Sequence, residues 1–139
     1  MARPMTEALI DSHDAALFDL DGVVYLGSEV VPAAPATMSR LRANGVGVGF
    51  VTNNAARATT VVADQLTDMG IPAAPSDVVS SAEAVTALVA TELGQGTRVL
   101  IAATSNVDDL ARQRGLVPVH SADEHPQAVI QGYDPDIEW

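Results

Sequence analysis

The chain contains no cysteine and no lysine, and its 139 residues include only two Phe, two Tyr and one Trp. Without cysteine there is no disulfide framework, no thiolate zinc site and no cysteine nucleophile. So few aromatics argue against an aromatic-cored β-sandwich. The hydrophobic fraction of 47%, mostly Ala and Val, suits thin helices packed on Val-rich strands. No stretch approaches the roughly 18 apolar residues of a membrane span. The leader carries Arg3, Glu7, Asp11 and Asp14 and lacks the apolar run of a signal peptide, so a cytoplasmic location is expected. Positive charge is also scarce. Seven arginines against 18 acidic residues leave a net charge of −11, which argues against nucleic-acid and anionic-membrane partners, because counterion release needs basic surface.

What is present is an alternation of short apolar runs and helical periods. Residues 15–18 read as a buried strand meeting a loop at the acidic pair and Gly22. Residues 23–32 read as irregular. Ala34, Met38 and Leu41 share a helical face over 33–43, with Asn44-Gly45 as the stop signal. Residues 46–51 form a second strand, apolar on both faces, which predicts a parallel sheet covered on both sides. A helix is expected over 57–69 and a brief strand over 77–79. Ser80 and Glu83 form a capping-box pattern opening the next helix. Gly94-Gln95-Gly96 marks a boundary between residues 1–95 and 96–139. Beyond it, a strand at 99–102, a helix at 106–114 and a strand at 128–130 begin a new unit. The alternation predicts an α/β fold with right-handed crossovers. His13, His120 and His125 have no metal-ligand spacing and read as surface residues, and Asp108-Asp109 reads as the solvated first turn of a helix.

Asp19 and Asp21 stand at i and i+2 where the first strand meets Gly22. In extended backbone that spacing points both carboxylates to one side. They emerge at the carboxyl end of a parallel strand, where open α/β sheets place their ligands. Two carboxylates there suit a hard cation such as Mg²⁺ and allow one to attack while the other handles protons. Read alone, the same residues are equally an Asp-Gly turn. Thr52-Asn53-Asn54 ends the next apolar strand, and a short hydroxyl with amides before a helix N-terminus welcomes an anion. Alone it too is a common turn.

Together the two segments resemble the first and second motifs of the haloacid-dehalogenase superfamily. Phe18-Asp19-Leu20-Asp21-Gly22-Val23-Val24-Tyr25 is similar to the first, and Phe50-Val51-Thr52-Asn53-Asn54 to the second. Thr-Asn-Asn followed by Arg57 narrows the resemblance to the NagD-like, nitrophenylphosphatase-type branch, although Ala55-Ala56 replaces the small hydroxyls often found there. Arg57 either helps hold substrate or is a solvated first-turn residue. Residues 77–82 and 128–135 are similar to further segments of that branch. The resemblance implies a Rossmann-like doubly wound parallel sheet followed by an α/β C2 cap, beginning near Gly96. It implies Asp19 as the nucleophile forming an aspartyl-phosphate, Asp21 as general acid/base, and Mg²⁺ bound by the Asp19 carboxylate and the Asp21 backbone carbonyl. Thr52, Asn53 and Asn54 would bind the phosphoryl group. The expected partner is a small phosphorylated metabolite, and a homodimer of the full-length protein is compatible with this reading.

The pattern breaks in its second half. The superfamily's third motif supplies a lysine and its fourth a Gly-Asp pair with further acidic residues, and neither is found. Arginine differs from lysine in shape and reach, so Arg57 does not simply substitute. The expectation is therefore a partial chain, inactive by itself, of a protein roughly twice as long. The alternative is a non-catalytic binding or assembly module.

Overall fold

The computed structural model describes residues 9–136; the charged leader at Arg3 and Glu7 and the final Ile137–Trp139 lie outside them. Two parallel three-stranded sheets form, and each has its own core. The first sheet comprises β1 (Ala15–Asp19), β4 (Gly47–Thr52) and β5 (Val78–Ser80) in the order β1-β4-β5. Its crossovers carry α1 (Ala34–Ala43) and α2 (Thr59–Asp68). Both step the same way along the sheet, which leaves both helices on one face. There Phe50, Val48 and Val78 meet Met38, Val62 and Leu66, and Phe50 and Leu66 are fully buried. The stretch expected to be irregular contains a small hairpin of β2 (Tyr25–Leu26) and β3 (Glu29–Val30), turning at Gly27 (φ +60°).

The opposite face departs from the expected double cover. Leu17 is 72% exposed, Val51 41% and Val79 48%, all on strand positions pointing away from α1 and α2. The apolar character read from the sequence is there, but among the described residues no helix covers that face.

The second sheet has the order β7-β6-β8, from β6 (Arg98–Ala102), β7 (Val117–Val119) and β8 (Ala128–Gln131), with α4 (Ser105–Gln113) as crossover. β7 contains Pro118 and occupies an edge, the position where a missing ladder donor is tolerated. Packing divides the chain earlier than the glycines at 94–96 suggest. α3 (Ser81–Leu93) buries Ala82 and packs Val85, Val89 and Ala90 in the same cluster as Val99, Ile101, Val107 and Ile130. The Gly94–Gly96 turn therefore lies within the second unit, where the Gly96 N–H donates to the Gly115 carbonyl (2.8 Å). Asp108 is not solvated as expected. It is 9% exposed, facing His120 (Nε2–Oδ1 3.6 Å), because the apolar stripe of α4 carries it inward between Val107 and Ala111.

Candidate active site

β1 and β4 run parallel with Asp19 opposite Val51, so the ends of the two strands deliver their loops side by side. Asp19 closes β1. Its Oδ1 accepts from the Leu20 N–H (2.9 Å), and among the described residues Oδ2 has no hydrogen-bond donor. The chain then wraps around the Leu20 carbonyl, which accepts from the N–H groups of Val24 (2.9 Å) and Tyr25 (3.2 Å), while the Gly22 N–H donates to the Tyr25 carbonyl (2.8 Å). Gly22 sits at φ +85°, and a Cβ added there would have nothing within 4 Å, so the requirement for glycine is conformational rather than steric. This wrap carries Asp21, exposed, toward the end of β4.

There Thr52 is buried, 4% exposed, and its Oγ1 accepts from the Asn54 N–H (3.1 Å). Asn54 Oδ1 in turn accepts from the Ala56 N–H (3.0 Å), an Asx-type turn. Asp21, Asn53 and Asn54 line one cavity of ≈ 470 Å³ together with Ser81, Gln131 and Tyr133, and Ala82, Val85, Val107 and Ile130 give it an apolar wall. Asp19 and Thr52 do not line that cavity. Thr52 lies beneath the loop, and Asp19 stands at the strand end beside it.

Tyr25 packs 5% exposed under the same loop. Its phenol is held above the ordinary value, first by burial and then by Asp21; Arg57 opposes the shift and Asp19 adds to it. The donors present, carboxylates and a backbone carbonyl, are hard oxygens and fit Mg²⁺ in kind. Among the described residues no cluster of three or more His, Cys, Asp or Glu gathers to hold a metal. Sequence reading assigned Ser81, Gln131 and Tyr133 no role at the cavity, although each lies in a segment, 77–82 or 128–135, that is similar to the family branch.

Residues 16–117 match the family of haloacid dehalogenase-like hydrolases. The D-glycerol 3-phosphate phosphatase of Mycobacterium tuberculosis is 36% identical over 133 residues, covering 96% of this chain and 37% of that protein. The acid sugar phosphatase of Staphylococcus aureus is 32% identical over 127 residues, covering 91% of this chain and 48% of its own. A crystal structure of the mycobacterial glycerol phosphate phosphatase in complex with magnesium superimposes with a TM-score of 0.87 at 36% identity, covering 96% of this chain and 40% of that one. The chain thus spans between about two fifths and half the length of these relatives.

Proposed function

Since the chain belongs to the haloacid dehalogenase-like hydrolase family, we propose that it carries the nucleophile-bearing part of a Mg²⁺-dependent phosphatase acting on a small phosphate monoester. The observation that carries the reading is the parallel register of β1 and β4, which sets Asp19 and Asp21 beside the Thr52–Asn54 loop. Asp19 Oδ2 attacks phosphorus, the ester P–O bond breaks, and Asp21 gives its proton to the departing oxygen. Water then attacks the aspartyl-phosphate as Asp21 takes a proton back, the bond to Asp19 breaks, and phosphate leaves. The Thr52 hydroxyl and the Asn53 amide hold the phosphoryl oxygens, while the Asn54 N–H stays on Thr52 Oγ1 and shapes the loop. The Asp19 carboxylate and the Asp21 carbonyl would hold Mg²⁺, which when bound would supply charge neutralisation. The names of the two relatives support a polyol or sugar phosphate as the class of ester. The second unit reads as the start of a cap that lines the cavity.

The chain has no lysine, so the cation facing the phosphoryl group and the remaining acidic ligand would come from sequence outside it. The test compares nitrophenyl phosphate turnover by this chain with turnover by a polypeptide that continues it through a Gly-Lys-Pro and a Gly-Asp segment. The longer polypeptide should turn substrate over only with Mg²⁺ and lose activity in Asp19→Asn, while the 139-residue chain shows little or none. An inactive longer polypeptide, or activity that survives Asp19→Asn, would overturn the reading and favour a binding or assembly module.

A further inference from the structure

The loop after β4 has little to fix its shape. Residues 53–58 are Asn, Asn, Ala, Ala, Arg and Ala, with Asn53 and Asn54 exposed, so no large apolar side chain anchors it in a core. Hydrogen bonds must define it, and the second unit provides two of them. Ser81 Oγ, at the start of α3, donates to the Asn53 carbonyl (2.9 Å). Asn106 Nδ2, in the first turn of α4, donates to the Ala55 carbonyl (2.9 Å).

Each of these bonds completes a pair. The 53–54 peptide has its carbonyl held by Ser81 and its N–H held by Thr52 Oγ1. The 55–56 peptide has its carbonyl held by Asn106 and its N–H held by Asn54 Oδ1. A planar peptide unit gripped at both edges cannot rotate. One further contact lies alongside, Thr59 Oγ1 donating to Glu83 Oε1 (3.3 Å).

We infer that Asn106 and Ser81 are positioning residues, through which the second unit sets the peptide orientations of the phosphoryl-binding loop. The inference rests on the phosphatase reading above. Donors aimed in advance need no reorganisation when charge develops, and small misplacements are costly, so the rigidity matters to chemistry as well as to folding. The effect of both side chains passes through the loop backbone.

The test is a titration of the 139-residue chain with inorganic phosphate and Mg²⁺, followed by the amide resonances of residues 52–56. Asn106→Asp keeps the size but removes the donor. Ser81→Ala removes the second donor from a different helix, and so stands in if the first variant folds poorly. Each should weaken phosphate binding about twofold to tenfold, the range of one hydrogen bond, and shift the unliganded Asn54 and Ala56 amides. Asn106→Gln, which keeps a donor, should recover part of the loss. Wild-type affinity in both Asn106→Asp and Ser81→Ala would overturn the inference alone, as would equal losses in Asn106→Gln and Asn106→Asp, which would indicate packing. No phosphate response in the wild-type chain, repeated with the longer polypeptide that supplies a lysine and the further acidic ligand, would overturn the phosphoryl-site reading, and this inference with it.

Discussion

Thr52 offers a test in which stability and binding separate. The residue is 4% exposed at the end of β4, with its hydroxyl accepting from the Asn54 N–H at 3.1 Å. Thr52→Val preserves the shape and deletes the hydroxyl, so folding loses one hydrogen bond, about 0.5–1.5 kcal/mol. If the same hydroxyl also faces a phosphoryl oxygen, binding loses a bond to a charged group, about 1.5–3 kcal/mol, or roughly 10- to 150-fold in phosphate affinity. Thr52→Ser does the reverse. It keeps the hydroxyl and removes one buried methyl group, costing about 0.5–1.5 kcal/mol of stability and leaving binding within about twofold. Urea unfolding measures the first quantity, and calorimetric titration with phosphate and Mg²⁺ the second. Phosphate binding unchanged in Thr52→Val, or lost equally in Thr52→Ser, would refute the assignment of Thr52 to the phosphoryl site.

Two glycines should respond oppositely to alanine. At Gly49 the added Cβ would lie 2.8 Å from Leu17 Cδ2, the far end of a side chain that is 72% exposed and can swing away. Gly49→Ala should therefore be neutral or stabilising by up to about 1 kcal/mol in urea unfolding, since a strand glycine loses more backbone entropy on folding. At Gly132 the added Cβ would meet Ala103 Cβ at 3.1 Å, in a core cluster that cannot yield. Gly132→Ala should destabilise by about 1 kcal/mol or more. The Tyr25 phenol, isolated in a Tyr133→Phe background, should ionise above its ordinary value of 10.0, and Asp21→Asn should bring it down. Because the folded state holds that proton more tightly than the unfolded chain, the stabilisation is complete below the unfolded pKa and is lost as pH rises through the folded one. An unchanged ultraviolet titration in Asp21→Asn would contradict the placement of Asp21 beside the ring.

Helix and strand positions were legible because local signals carried them. Ser80 caps α3 as its pattern predicts, its Oγ accepting from the Glu83 N–H (3.2 Å), although the Glu83 carboxylate turns to Thr59 instead of back to the cap. β7 is hidden from sequence reading because Pro118 masks a three-residue edge strand, and β2 and β3, at two residues each, are too short to show a period. The placement of Asp19, Asp21, Thr52, Asn53 and Asn54 at neighbouring strand ends was legible, because each lies within a few residues of the end of β1 or β4. Ser81 and Asn106 were not. They reach the same loop from 28 and 51 residues away, and only the folded chain creates those contacts.

In the 139-residue chain taken by itself, the uncovered face of the first sheet has a consequence for behaviour in solution. Leu17, Val51 and Val79 offer an apolar surface on a molecule whose net charge is −11, so attraction between such faces is opposed by long-range repulsion. The two respond oppositely to ionic strength. Added salt shortens the reach of the repulsion from about 30 Å at 0.01 M to about 3 Å at 1 M, while leaving the apolar contact intact. The colloidal state of these residues is thus governed by screening, with dilute buffer keeping the molecules apart and concentrated salt letting the open faces meet.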